Sequence, residues 1–326
     1  MCGFVGYVGH HQVVSQQRLV HMRDTLRHRG PDDSGLYISK RNVAIGLGHR
    51  RLSILDTRRV GRQPMSGPSN QTHIAYNGEF YSFEHHRSRL ANEGIQFKTR
   101  TDTEVILALY EEKGIGFLDD LDGMFSFALW DEVEERLLLV RDRLGIKPLF
   151  YASSQNGSLV FGSEIKAILA SGQVDTGIDI QAHFDYLALN YVPGPRTMLQ
   201  GVQSLEPGHV LIWSRDGIAT HRYWRQVFAA ETPTVNPPGL SQSRNQVLNH
   251  LHTSVQKRMI ADVPLGMFLS GGIDSSAILM AMAEASDRPI KAFTIRFEQA
   301  TYDESVHARC AADTYGAEHF IETVDP

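Results

Sequence analysis

The pattern of the chain changes character once, and that change limits it to two kinds of sheet. Up to about residue 225, short β-type runs follow one another at 43–48, 72–81, 125–131, 136–142 and 158–163. The clearest pair is Phe125–Trp130 and Leu137–Val140, around a charged turn of Asp131 to Glu135. Adjacent runs joined by short turns favour antiparallel pairing. A second hairpin is expected at Gln155-Asn156-Gly157, because Asn-Gly supplies positive φ angles. Thr101 and Glu104 form a capping-box pattern ahead of a helix that Gly114 stops. Another helix is expected from Ser163 to Ala170, stopped by Gly172. Residues 229–240 hold three prolines and a glycine and read as a linker.

After the linker, Val247, Leu248, Leu251, Val255 and Met259 recur at helical spacing. Val263 to Leu269 reads as a buried strand, Ser270 to Ser275 as a tight turn and Ser276 to Ala285 as a helix. A strand at 290–297, a helix around 304–315 and a strand around 318–323 follow. Strand and helix in alternation predict a parallel, doubly wound sheet. The expected domains are thus 1–228, strand-rich α+β, and 241–326, α/β, joined by 229–240.

With 326 residues, of which 42% are hydrophobic and 21% charged, the chain can bury two cores without disulfide or metal staples. The net charge of −5 argues against a general nucleic-acid partner. Residues 1–62 do carry eleven Lys+Arg against four Asp+Glu. Arg18, Arg23, Arg27 and Arg29 are expected on one helix, as a solvated face. Only two cysteines, Cys2 and Cys310, point to a reducing compartment. No apolar run approaches the ~20 residues of a membrane span. The start lacks a signal-peptide pattern, so a cytoplasmic protein is expected. The fifteen histidines show no metal-ligand spacing. Cys310, among alanines, is expected in packed core.

Three constellations could carry chemistry. Loss of Met1 would give Cys2 both a thiol and an α-amine of pKa about 7.7–8.0, so a base would stand beside the nucleophile. Position alone does not separate this from an incidental cysteine. Ser270-Gly271-Gly272-Ile273-Asp274-Ser275-Ser276 follows an apolar run and opens a helix, which suits a phosphate cradle. Asp274 could hold Mg²⁺ against the phosphates. The third set is scattered. Asn77-Gly78 is either a hairpin turn or a pair of oxyanion donors. Asp102 is either a first-turn acid on a helix or an ammonium ligand, and Arg51 could take a carboxylate.

Met1-Cys2-Gly3-Phe4-Val5-Gly6, Arg27-His28-Arg29-Gly30-Pro31-Asp32, Tyr76-Asn77-Gly78-Glu79, Thr101-Asp102-Thr103-Glu104, Arg141 to Leu149 and Val263 to Ser276 together resemble the glutamine-dependent asparagine synthetases. The resemblance covers essentially the whole chain. It implies a four-layer αββα N-terminal-nucleophile glutaminase, followed by the start of an ATP-pyrophosphatase domain. It implies that Cys2, freed of Met1, forms a γ-glutamyl thioester, with the Asn77 amide and Gly78 N–H holding the oxyanion. Arg51 would bind the glutamine carboxylate, Glu79 and Asp102 its ammonium, and Ile54 and Leu55 would line the site. Ammonia would then pass inside the protein to the second domain. There Ser270, Gly271, Gly272, Asp274, Ser275 and Ser276 would hold ATP, with Asp274 on Mg²⁺ and Leu269 and Ile295 against the adenosine. Aspartate would become β-aspartyl-AMP and then asparagine.

The family normally continues well beyond this length and carries a second Ser-Gly-Glu-Gly loop, which these residues do not contain. These residues alone are therefore expected to act as a glutaminase. Another carboxylate acceptor, as in lactam or surface-polymer formation, and a non-synthetic glutamine-binding protein are the alternatives. The family suggests a homodimer, with no nucleic-acid or membrane partner.

Overall fold

The computed structural model describes residues 1–10, 14–40, 43–153, 157–228, 239–299, 301 and 303–324. Residues 229–238 of the expected linker, and Gln155 and Asn156 of the expected second hairpin turn, lie outside the described residues. The chain divides into two compact units, Met1–Val227 and Phe228–Pro326.

The first unit begins with β1 (Gly3–Gly9), α1 (Gln16–Asp24), β2 (Asp33–Lys40), β3 (Ala44–Arg51), β4 (Met65–Ser66) and β5 (Thr72–Phe80). Helices α2 (Phe83–Asn92) and α3 (Asp102–Lys113) follow, then β6 (Gly123–Asp131), β7 (Arg136–Arg141), β8 (Phe150–Ser153) and β9 (Leu159–Gly162). It ends with α4 (Ile165–Leu169), α5 (Ile180–Leu189), β10 (Gln203–Ser204), β11 (His209–Ser214) and β12 (Gly217–Arg222). The strands form two six-stranded sheets, ordered β10-β8-β9-β1-β3-β2 and β12-β11-β7-β6-β5-β4. Every pairing in them is antiparallel.

Side-chain alternation along each strand builds the layers. In β6, Ala128 and Trp130 enter a core shared with Phe4, Val8, Ile45 and Leu47 of the other sheet. Phe125, Phe127 and Leu129 point the opposite way, into a core with Val105, Ile106 and Leu109 of α3. Val5 and Tyr7 of β1 pack with Leu19 and Met22 of α1 and Ile168 of α4. Three cores between four layers give helices, sheet, sheet and helices. Both faces of the central strands are therefore dry, which explains their near-continuous apolar runs.

The second unit contains α6 (Leu240–Arg258), β13 (Gly266–Phe268), α7 (Ile273–Glu284), β14 (Lys291–Phe297), α8 (Ser305–Thr314) and β15 (Glu318–Val324). Its three strands run parallel in the order β13-β14-β15.

Several local expectations change. The arginines do not share one helix, because α1 ends at Asp24 and Arg27 and Arg29 follow it in turns. Arg23 and Arg29 are buried to 12% and 10% side-chain exposure by ion pairs, not solvated. Thr101 caps α3 without a side-chain bond, and Glu104 instead accepts the N–H groups of Lys98 and Thr99. The expected strand over 263–269 is only Gly266–Phe268, at the sheet edge, with Phe268 exposed. Helix α7 starts three residues earlier than expected, at Ile273. Cys310 is exposed, because α8 turns its alanines and not this cysteine to the core.

Candidate active site

Strand β5 runs straight through Asn77-Gly78, so this dipeptide is no hairpin turn. Asn77 pairs with Ser126 and Gly78 with Phe125 across to β6. A Cβ on Gly78 would stand 2.5 Å from the Met124 carbonyl oxygen and 2.7 Å from the Phe125 Cα. Only glycine lets β5 approach β6 this closely there. Asn77 is 1% exposed, and its Nδ2 has no hydrogen-bond partner in the structure. A buried amide donor without an acceptor is costly, of order 1–3 kcal/mol, unless a ligand supplies one.

β1 packs near this strand, and Cys2 stands immediately before its first residue. The Cys2 sulfur is half-buried, accepts the Leu52 N–H at 3.3 Å and lies 3.5 Å from the Leu52 carbonyl. Burial pushes the thiol upward, while the Leu52 hydrogen bond and the Arg51 charge pull it down. Arg29 fixes this end of the chain: its Nε donates to the Cys2 carbonyl at 2.9 Å and its Nη1 to Glu164 at 3.1 Å.

Arg51 ends β3 and is 4% exposed. Its guanidinium donates to the carbonyls of Arg58 at 3.1 Å, Leu55 at 2.8 Å and Asp56 at 2.8 Å. Three of five donors are thus used, and two remain. Asp102 opens α3, where the helix N-terminus favours a carboxylate. Its Oδ2 accepts the Phe80 N–H at 2.9 Å and the Tyr76 hydroxyl at 3.1 Å. Burial nevertheless raises the Asp102 carboxyl above its usual range. Burial, and then repulsion from Asp102, pushes Glu79 up to about 8.

All eight residues expected around glutamine line one pocket of about 120 Å³: Cys2, Arg51, Ile54, Leu55, Asn77, Gly78, Glu79 and Asp102. Lys147, Gln63, Tyr76 and Thr103 line it too and were missed by the sequence reading. Arg29 and Lys147 both sit in stretches that carry the family resemblance, but their burial is not visible in local pattern. The pocket offers a nucleophile, a buried amide donor, two cations (Arg51 and Lys147) and two carboxylates, which include the groups needed to attack a side-chain amide and hold both ends of an amino acid.

In the second unit, the loop after β13 lies at the carboxyl end of the parallel strands, where open α/β sheets take ligands. Gly271 adopts φ +80°, and a Cβ there would stand 2.3 Å from the Ala308 nitrogen. Ser270 Oγ receives the Gly272 N–H at 3.3 Å and lies 3.0 Å from Ser275 Oγ. Ser276 donates its N–H to the Gly272 carbonyl at 3.0 Å. Gly272 caps α7 without a side-chain bond, which leaves first-turn N–H groups open. Asp274 is exposed in that first turn, and Ile295 is exposed on β14. Leu269 is buried, and its carbonyl accepts the Thr294 hydroxyl at 2.6 Å. An uncapped, glycine-lined helix start with two serine hydroxyls fits a phosphate chain. One exposed carboxylate fits Mg²⁺ bound largely by phosphate oxygens. Among the described residues, no cluster of three or more His, Cys, Asp or Glu side chains could hold a metal alone. Among those residues, no helix is long and apolar enough to cross a membrane.

A family described as "Glutamine amidotransferase domain" matches residues 1–224, and one described as "Asparagine synthase" matches residues 246–326. The chain is 36% identical to an asparagine synthetase [glutamine-hydrolyzing] 3 of Bacillus subtilis, over 92% of this chain and 48% of that protein. It is 34% identical to amidase chry2 of Gibberella zeae, over 100% of this chain and 51% of that protein. The chain spans about half the length of these curated relatives. The solved glutamine phosphoribosylpyrophosphate amidotransferase from B. subtilis matches with TM-score 0.52 at 16% identity, covering 100% of this chain and 82% of that one, a likeness of fold alone.

Proposed function

The chain belongs to the family of glutamine-hydrolysing asparagine synthetases, and from that premise we propose that its first unit hydrolyses glutamine at Cys2 and that the whole protein uses the ammonia to amidate aspartate. The observation that carries this reading is the unpartnered Asn77 amide, buried in the same pocket as Cys2, Arg51 and Asp102.

Removal of Met1 turns Cys2 into the N-terminus. Its sulfur adds to the side-chain amide carbon of glutamine, and its α-amine takes the thiol proton. Asn77 Nδ2 and the Gly78 N–H donate to the oxyanion of the tetrahedral intermediate. The C–N bond then breaks, the α-amine returns the proton to the departing nitrogen, and ammonia leaves a γ-glutamyl thioester. Water adds to the thioester, the C–S bond breaks, and glutamate and the thiol are restored. Arg51 holds the substrate carboxylate with its two remaining donors. Asp102 and Glu79 face the ammonium.

In the second unit, Ser270, Gly271, Gly272, Ser275 and Ser276 would cradle the phosphates of ATP, with Leu269 and Ile295 beside the adenosine. Asp274 would help to hold Mg²⁺, which neutralises phosphate charge when bound. ATP supplies an adenylyl group to the β-carboxylate of aspartate and loses pyrophosphate; ammonia then displaces AMP to give asparagine. A cytoplasmic homodimer is the form we infer.

A second acceptor is favoured by one observation, the 34% identity to a protein named as an amidase. There the same ammonia would go to another carboxylate.

The test is an incubation of this chain with amide-¹⁵N glutamine, aspartate, ATP and Mg²⁺, followed by mass spectrometry, with the intact mass checked for loss of Met1. Glutamate and labelled ammonia, without labelled asparagine, are the expected products of these 326 residues. No glutamate from chain that lacks Met1 would sink the proposal. In the whole protein, turnover of other carboxylates in preference to aspartate would favour the second acceptor.

A further inference from the structure

The pocket wall holds an ammonium without a strong acceptor. Lys147 is 5% exposed, and its Nζ has one hydrogen-bond partner, the thioether sulfur of Met1 at 3.3 Å. A thioether is a weak acceptor, and Nζ has three donors. Among the described residues, no carboxylate forms an ion pair with it. The lysine has not drifted there on a loose loop. The fully buried Asp142 knots the loop, accepting the N–H groups of Leu144 at 3.1 Å, Ile146 at 2.9 Å and Lys147 at 2.9 Å. Arg141 Nε donates to the Lys147 carbonyl at 2.9 Å and closes the other side. An apolar side chain would fill the same space without the desolvation that a buried ammonium suffers. A cation held rigidly at the wall of a reactive pocket calls for an anion from within that pocket.

Glu79 lines the same pocket and is the acid whose charge acts most strongly on Lys147. We propose that Lys147 is a positioning residue of the Cys2 pocket: once Met1 leaves, its ammonium turns from the thioether to the Glu79 carboxylate, so that Glu79 meets the ammonium end of glutamine as an anion. Met1 acts in the unprocessed chain as a cover on that cation. This rests on the glutaminase reading above. Burial pushes Lys147 below the usual lysine range and Glu79 up to about 8, so either charge alone is disfavoured and the pair supports both. The other charged or titratable groups around the pair are Cys2, the chain's amino end, Arg29, Arg51, Tyr76, Asp102 and Asp142.

The test uses the full chain after Met1 removal and reads glutaminase kinetics from pH 5.5 to 9. Lys147→Met keeps the bulk and removes the charge. It is expected to raise KM for glutamine at pH 7 at least about tenfold, to move the acidic limb of kcat/KM upward, and to change kcat much less. Lys147→Arg is expected to restore most of the wild-type profile. Glu79→Gln is expected to abolish the shift of that limb, and adding Lys147→Met to it should then do little further harm. A Lys147→Met profile that overlays wild type would overturn the proposal. If that variant does not fold, an acidic limb that survives unchanged in Glu79→Gln would overturn it instead. Inactive wild-type chain lacking Met1 would overturn the glutaminase reading itself, which separates the two failures.

Discussion

Gly61 is the floor on which the Arg51 guanidinium rests: a Cβ at position 61 would stand 2.4 Å from Arg51 Nη2 and 2.9 Å from its Cζ. The obstructed atoms are the end of a flexible side chain, so the fold can absorb Gly61→Ala while Arg51 cannot keep its place. The expected outcome is a KM for glutamine raised about tenfold, near 1.4 kcal/mol, with a thermal midpoint close to wild type. An unchanged KM would count against Arg51 as the carboxylate ligand.

Cys2→Ala should lower glutamine hydrolysis by at least about a thousandfold, because no other thiol lines the pocket. The lost sulfur contacts are two weak ones, with the Leu52 N–H and the Leu52 carbonyl, so urea denaturation should be almost unaffected. In the whole protein, synthesis from added ammonia should survive.

Asp102→Asn keeps an oxygen to accept the Phe80 N–H and the Tyr76 hydroxyl, so it should fold. It removes the charge proposed to face the substrate ammonium. A loss of about 2 kcal/mol, roughly thirtyfold in KM, is expected, and isothermal titration with glutamine on a Cys2→Ala background would read it directly.

His49 titrates the first unit. It is fully buried, its Nε2 donates to the Tyr76 carbonyl at 2.9 Å, and its Nδ1 has no partner. Burial lowers its pKa from 6.5 to about 4. The folded pKa lies below the unfolded one, so between pH 6.5 and 4 the unfolded chain binds the extra proton and stability falls as pH falls. The loss across that window is of order 3 kcal/mol. Urea titrations at pH 7 and 4.5 should show it in wild type, and His49→Gln should be less stable at pH 7 but flatter in pH.

Gly271→Ala meets backbone rather than a side-chain tip, and at φ +80° alanine is strained whatever the space. It should destabilise the second unit by about 1–2 kcal/mol or more and weaken ATP binding, both measurable on the same sample by thermal unfolding with and without nucleotide. ATP affinity equal to wild type would argue against the loop as the phosphate cradle.

The strands with two dry faces were legible as apolar runs, as at Phe125–Trp130, and their antiparallel pairing followed from adjacency. The parallel order of the second unit followed from strand–helix alternation. Strand β1 and the pair β11–β12 carry little periodic signal, because short runs with glycines or exposed polar residues do not alternate clearly. The capping box at Thr101 does not close because Glu104 accepts the N–H groups of Lys98 and Thr99 instead.

The sequence by itself determined the chemistry available: a cysteine after Met1, an Asn-Gly pair, a serine- and glycine-rich loop opening a helix, and the change from adjacent strands to alternating strand and helix. Those are local in the chain, set by residue type and spacing. Tertiary structure alone decided that positions 2, 51, 77 and 102 share one pocket, that Arg29 grips the Cys2 carbonyl, and that Lys147 is buried facing Met1. Burial and long-range partners arise only when the two sheets stack and the helices cover them. Desolvation and orphaned donors, which turn a residue type into a working group, therefore have no signature in local pattern.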